Sequence, residues 1–167
     1  MTFDPQAAFF DFEQDFAGSL RCIPMRVRLR LDLCAIKLTL RQWSQFTPAQ
    51  RKTLLDTPFD TAEQRSRYAE ALKILIAAAC DEPLKLLTKN EEALWQDARC
   101  VPDCVLEQAR HDNIAPPTLA QWGGLHELQR FALVKLARSK HENENFVPAL
   151  REFGLTAPAP SRRDRLN

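Results

Sequence analysis

A chain of 167 residues, 45% apolar and 27% charged, fits one globular domain and is too apolar to be disordered. No apolar run approaches the roughly 18 residues that cross a bilayer; the longest, Ala69 to Cys80, is broken by Glu70 and Lys73. The formal net charge of +1 argues against a dedicated polyanion binder, and five cysteines without framework spacing argue against an exported disulfide scaffold.

Residues 1–20 hold Asp4, Asp11, Glu13 and Asp15 with no base, and the chain start lacks the basic region of a signal peptide, so the expected location is the cytoplasm. Residues 21–52 then hold eight bases against Asp32 alone. Either the acidic arm folds back and neutralises this stretch, or the stretch is a docking face for an acidic partner.

Met25 to Leu33 alternates arginine with apolar residues, a pattern that alone suggests a strand. An internal repeat decides for a helix. Residues 38–55, LTLRQWSQFTPAQRKTLL, return as residues 117–134, PTLAQWGGLHELQRFALV, at an offset of 79. Thr39, Leu40, Gln42, Trp43, Gln50, Arg51 and Leu54 match Thr118, Leu119, Gln121, Trp122, Gln129, Arg130 and Leu133. Upstream, at offset 78, Ile23-Pro24, Val27 and Ile36 align with Val101-Pro102, Val105 and Ile114. The counterpart of the alternating stretch spaces Val105, Leu106 and Ala109 as a helix does, and Val27, Leu31 and Cys34 fit the same stripe. Pro24 and Pro102 are expected in the first turns.

Each unit then reads helix, short helix, helix. Thr39 with Gln42, Thr47 with Gln50, and Thr118 with Gln121 have the spacing of capping boxes, in which a hydroxyl and an amide satisfy orphan backbone donors. His126 replaces the fourth threonine, a weaker cap. Between the copies, Asp60 is the expected cap of a long helix to about Ala79, with Leu72, Leu75, Ile76 and Ala79 on its apolar stripe. A short helix and a loop are expected over residues 83–97. A terminal helix is expected from Phe146 to Phe153, closed by Gly154. The expected fold is all-α: one helical domain over residues 1–155, with units at about 23–57 and 101–136 joined by the long helix, and a mobile basic tail over 156–167.

No catalytic signature emerges. His111, His126 and His141 are scattered, Gly123-Gly124 is no phosphate loop, and His141-Glu142 lacks the second histidine of a zincin motif, reading instead as a helix entry. Cys80, Cys100, Cys104 and His111 are a weak zinc set that no spacing fixes; small buried thiols are the simpler reading, and neither metal nor cofactor is expected. Cys22 differs in that a helix end and Arg21 beside it would favour its thiolate, although an inert buried thiol is the simpler reading here too. Trp43 and Trp122 read as core, and Arg51 and Arg130 as ties to neighbouring carbonyls or carboxylates. Arg26, Arg28, Arg30, Lys37 and Arg41 invite a nucleic-acid reading, but on a helix the three arginines Arg26, Arg28 and Arg30 spread widely, and the segment lacks interleaved aromatics.

Five segments carry a resemblance. They are Phe12-Glu13-x-Asp15-Phe16, Ser19-Leu20-Arg21-Cys22-Ile23-Pro24-Met25, the Trp43 unit, Gln129-Arg130-Phe131-Ala132-Leu133-x-Lys135-Leu136, and His141-Glu142-Asn143-x-Asn145-Phe146. Together they resemble the nitrate reductase associated proteins from about Phe9 to Leu155, with Ala77 to Asp97 and the tail unmatched. The resemblance implies a role in obtaining active assimilatory nitrate reductase, a molybdopterin and iron-sulfur enzyme. Members are associated with its genes and with those of molybdopterin synthesis. It supplies no catalytic residues.

The expected function is a non-catalytic, chaperone-like maturation factor that binds the reductase apoprotein or its cofactor-insertion machinery. Arg21, Cys22, Arg26, Arg28, His141, Glu142, Asn143 and Asn145 are the candidate contacts. A cofactor carrier or enzyme using Cys22, and a nucleic-acid-binding regulator, are the alternatives.

Overall fold

The computed structural model describes Asp4, residues 7–88 and residues 93–156. Its Cα packing divides the chain into two compact units, residues 6–93 and residues 94–167 with 1–5. The chain is mostly helical, as its sequence leads one to expect. Among the described residues no helix is long and apolar enough to cross a membrane.

In the first unit a 3₁₀ turn at Asp11–Glu13 leads into α1 (Gln14–Ala17). The alternating stretch is indeed the helix α2 (Met25–Leu33), with Pro24 one position earlier than expected, as its N-cap. The helix ends where Ala35 takes a left-handed φ of 53°, and the chain leaves extended. That exit makes room for the one sheet among the described residues, which the helical periodicity did not announce. In it β1 (Ile36–Lys37) pairs antiparallel with β2 (Lys85–Leu86), Ile36 opposite Leu86. The segment expected to hold a short helix therefore opens with a strand; its residues 89–92 lie outside the described residues.

Next come α3 (Leu40–Gln45) and α4 (Pro48–Asp56), with the Thr39/Gln42 and Thr47/Gln50 capping boxes both formed. The long helix α5 (Ala62–Ala79) starts one residue later than expected. Thr61 and Gln64 form its capping box, and Asp60 only donates its N–H to Gln64. Val27, Leu31, Trp43, Leu54, Tyr68, Leu72 and Ile76 belong to the core of this unit.

The second unit begins with a 3₁₀ turn at Leu94–Gln96, whose Trp95 is buried edge-on to Phe131, 5.5 Å between ring centroids. It continues with α6 (Asp103–His111), α7 (Leu119–Gly124) and α8 (Glu127–Arg138). Thr118/Gln121 form the expected capping box. His126 caps α8 through Nδ1, which accepts the Leu128 N–H at 3.2 Å, while the Gln129 side chain accepts the His126 N–H. The box survives with imidazole in place of hydroxyl.

A 3₁₀ turn at Asn143–Asn145 enters α9 (Phe146–Glu152). The helix closes as a Schellman motif: the Gly154 N–H donates to Arg151 and the Leu155 N–H to Leu150. Gly154 holds φ 70°, a conformation that costs glycine nothing. Phe146, Ala149 and Leu150 are buried, and α9 packs on α8. The expected tail lies, from residue 157, outside the described residues.

Candidate functional site

The segment from Ser19 to Met25 is held from below. Leu20 sits at φ 57°, a left-handed conformation that costs an L-residue roughly 1–2 kcal/mol. Its carbonyl is then doubly engaged, accepting the Trp43 indole N–H at 2.8 Å and an Arg51 guanidinium N–H at 3.2 Å. Arg51 also donates to the carbonyls of Trp43 and Ser44. The repeated tryptophan and arginine thus fix the backbone of the loop, and Arg21 is presented on the surface.

The second support is Glu13, which is buried. Its carboxylate accepts the Met25 N–H at 3.0 Å and the Phe10 N–H at 3.1 Å. A negative group at the N-terminus of α2 meets both an orphan donor and the positive end of the helix dipole. The arm does fold back, with Ala8 and Phe9 packed on the core of the first unit. The charge pattern counted Glu13 among the acids of the arm without distinguishing it from Asp4, Asp11 and Asp15; its burial was not legible there. Cys22 is half-buried, and at the helix end near it Glu13 accepts the Met25 N–H.

The basic stretch is not one surface. Arg30 is buried, with its guanidinium 5.5 Å from the ring centroids of both Phe59 and Tyr68. It donates to the carbonyls of Leu54 and Leu55 at 2.7 and 2.8 Å. These belong to the last turn of α4, where Pro58 has no N–H to offer. Arg26 is half-buried and donates to the Ala7 carbonyl on the arm; Arg28 is half-buried too. Arg41 pairs loosely with Asp81 and Glu82 on the surface.

The other candidate string leaves the C-terminus of α8. Ser139 Oγ accepts the N–H groups of His141 and Glu142, at 3.3 and 2.9 Å, and the Glu142 carbonyl accepts the Asn145 N–H. His141 is exposed, while Glu142, Asn143 and Asn145 are half-buried and Phe146 is fully buried beneath them.

Of the weak zinc set, Cys80 lies in the first unit and Cys100, Cys104 and His111 in the second. Among the described residues no group of three or more His, Cys, Asp or Glu is placed to hold a metal ion. Burial pushes the Cys80 thiol up, with Asp81 and Glu82 adding to the effect. Burial also raises Cys104 and Cys34, in each case against nearby cations. In all three the thiolate, the reactive form of cysteine, is disfavoured by burial.

In the second unit, Trp122 donates its indole N–H to the Asp97 carbonyl at 2.9 Å. Arg130 donates to the carbonyls of Trp95 and Leu125. Asp97 is held below the usual carboxylate range by the Arg99 N–H, which it accepts at 2.8 Å.

The family model described as conserved nitrate reductase-associated protein matches residues 9–153, so the chain belongs to that family. Comparison with curated proteins and with solved structures gave no match.

Proposed function

We propose that this member of the nitrate reductase-associated family is a non-catalytic accessory factor that binds the reductase apoprotein and holds it during insertion of the molybdenum cofactor. Family membership over residues 9–153 carries the association with the reductase. The apoprotein as its target is our reading of how an accessory protein acts.

The observation that best supports a binding role is the build of the two strings most characteristic of the resemblance. In each, an exposed polar side chain, Arg21 or His141, rides on backbone that buried or capping groups hold in place. Backbone fixed before binding lowers the ordering cost of association. Arg21 offers the planar donor fork that suits a carboxylate.

A pull-down tests the reading. Tagged protein is presented in parallel to reductase apoprotein and to cofactor-loaded holoenzyme. Preference for the apoprotein, weakened by Arg21→Ala and by His141→Ala, is the expected result. Equal capture of both forms would make the protein a standing subunit or regulator, and capture of neither would remove the reductase as direct partner.

A further inference from the structure

A groove of about 450 Å³ runs between α4 and α5 within the first unit. Its apolar floor is Leu54, Tyr68 and Leu75, its rims are the small residues Ala49, Thr53 and Ala71, and Arg67 is the one charged residue in its wall. Along α4 it extends from Ala49 to Thr57, roughly 12 Å or two helical turns.

The sequence repeat shows what this face of a helix does elsewhere. At the offset of 79, Ala49, Gln50, Thr53, Leu54 and Thr57 correspond to Leu128, Gln129, Ala132, Leu133 and Leu136 of α8. Every one of those five is buried, whereas Ala49 and Thr53 are exposed. α8 packs against α9, which buries Phe146, Ala149 and Leu150 at i, i+3 and i+4. The counterpart positions are buried along the whole of this face on α8, whereas on α4 the face is exposed at Ala49 and Thr53.

We propose that the α4–α5 groove receives an amphipathic helix from a partner protein, one that carries an acidic residue beside its apolar face. A helix satisfies its own backbone donors and acceptors, which an extended or looped segment laid on Leu54, Tyr68 and Leu75 would leave unpaired. Small residues at the rims let two helix axes approach closely, as in ridge-and-groove packing. Arg67 sets the charge of the occupant. Its present partner is Glu63 on its own helix, an exposed pair that contributes little, so exchange for a partner carboxylate is easy.

The experiment uses the full chain and synthetic helices of about sixteen residues, hydrocarbon-stapled because isolated helices of that length are marginal. One has phenylalanine and leucine at i, i+3, i+4 and i+7 with glutamates alongside; a second is its scrambled sequence; a third replaces the glutamates with lysines. Fluorescence anisotropy is expected to show binding of the acidic helix, weaker by at least about tenfold for the scramble and for Thr53→Trp, which fills the groove from an exposed position. Arg67→Glu is expected to shift preference to the lysine helix, and unchanged circular dichroism and melting show that both variants fold. Equal binding of the scramble, no effect of Thr53→Trp, or no binding at all would overturn the proposal. So would a naphthalene sulfonate dye that binds the groove and is not displaced by the acidic helix, since that marks a small-molecule pocket. Because the probe is a peptide, the result is separate from whether the reductase is captured.

Discussion

The two units solve one problem in the same way and then part company. In each, a buried tryptophan donates its indole N–H to a carbonyl on the segment leading into the longer helix α2 or α6, Leu20 in one and Asp97 in the other. In each, an arginine eight residues later in the sequence secures that preceding segment and the end of the short helix. Beyond this anchor they differ. α8 buries Leu128, Phe131, Leu133, Val134 and Leu136 among others, whereas α4 buries only Leu54 and Leu55. Among the described residues only the first unit has a buried cation, Arg30; its counterpart at offset 78 is Gln108, which bonds Asp112 within its own unit. The difference teaches that the shared residues build the scaffold, while faces free of that duty diverge.

If the anchors are equivalent, removing either tryptophan is the most damaging single change. Trp43→Ala and Trp122→Ala are each expected to cost about 3–5 kcal/mol, chiefly through lost burial, with the Leu20 carbonyl keeping its Arg51 donor while the Asp97 carbonyl loses its indole donor. Urea denaturation of both variants measures this. A loss of less than about 1 kcal/mol at one site with the full loss at the other would break the equivalence.

Arg30 sharpens the contrast. Arg30→Met keeps the apolar bulk but takes donors from Leu54 and Leu55, and the expected loss is about 2–3 kcal/mol. Gln108→Met removes only a partly buried side-chain bond and is expected to cost about 0.5 kcal/mol or less. Similar losses at the two positions would mean that the buried cation has no special standing in its unit.

What the sequence made legible depended on how far apart the interacting groups lie. Capping boxes are three-residue events, and the Thr39, Thr47 and Thr118 caps stand where their spacing puts them. The α5 start slipped by one residue because Asp60 and Thr61 are adjacent and both good caps, and Gln64 decided between them. The arginine role was legible because the repeat stated it twice. Arg30 was not, since its aromatic cage, Phe59 and Tyr68, comes from distant parts of the chain and its charge grouped it with the other bases of its stretch. Of the candidate contacts, Arg21 and His141 are exposed, while Cys22, Arg26 and Arg28 are half-buried. The groove has a faint signal in hindsight: Ala49, Thr53 and Thr57 are smaller or more polar than Leu128, Ala132 and Leu136, the residues of a helix that must be covered.

An effect smaller than that at Arg30 separates the units by pH. Tyr68 is the only tyrosine of the chain and donates its hydroxyl to the Leu54 carbonyl at 3.0 Å, tying α5 to α4. Burial pushes this phenol above its ordinary value of 10.0, in spite of Arg30 nearby. The neutral form is thus favoured in the folded state, so its contribution to stability is complete below pH 10 and is lost as pH rises beyond it. There the unfolded chain releases the proton that the folded chain keeps, a slope of at most about 1.4 kcal/mol per pH unit. Tyr68→Phe is expected to lower stability by about 0.5–1 kcal/mol at neutral pH, at the mild end because Arg30 still donates to Leu54. The deficit should shrink and then close as urea midpoints are taken through pH 10 and above, while Cys34, common to both proteins, cancels from the difference. Absorbance at the phenolate band reports on Tyr68 alone, and a phenol ionising at its ordinary value in the folded protein would show that α5 does not hold it buried against α4.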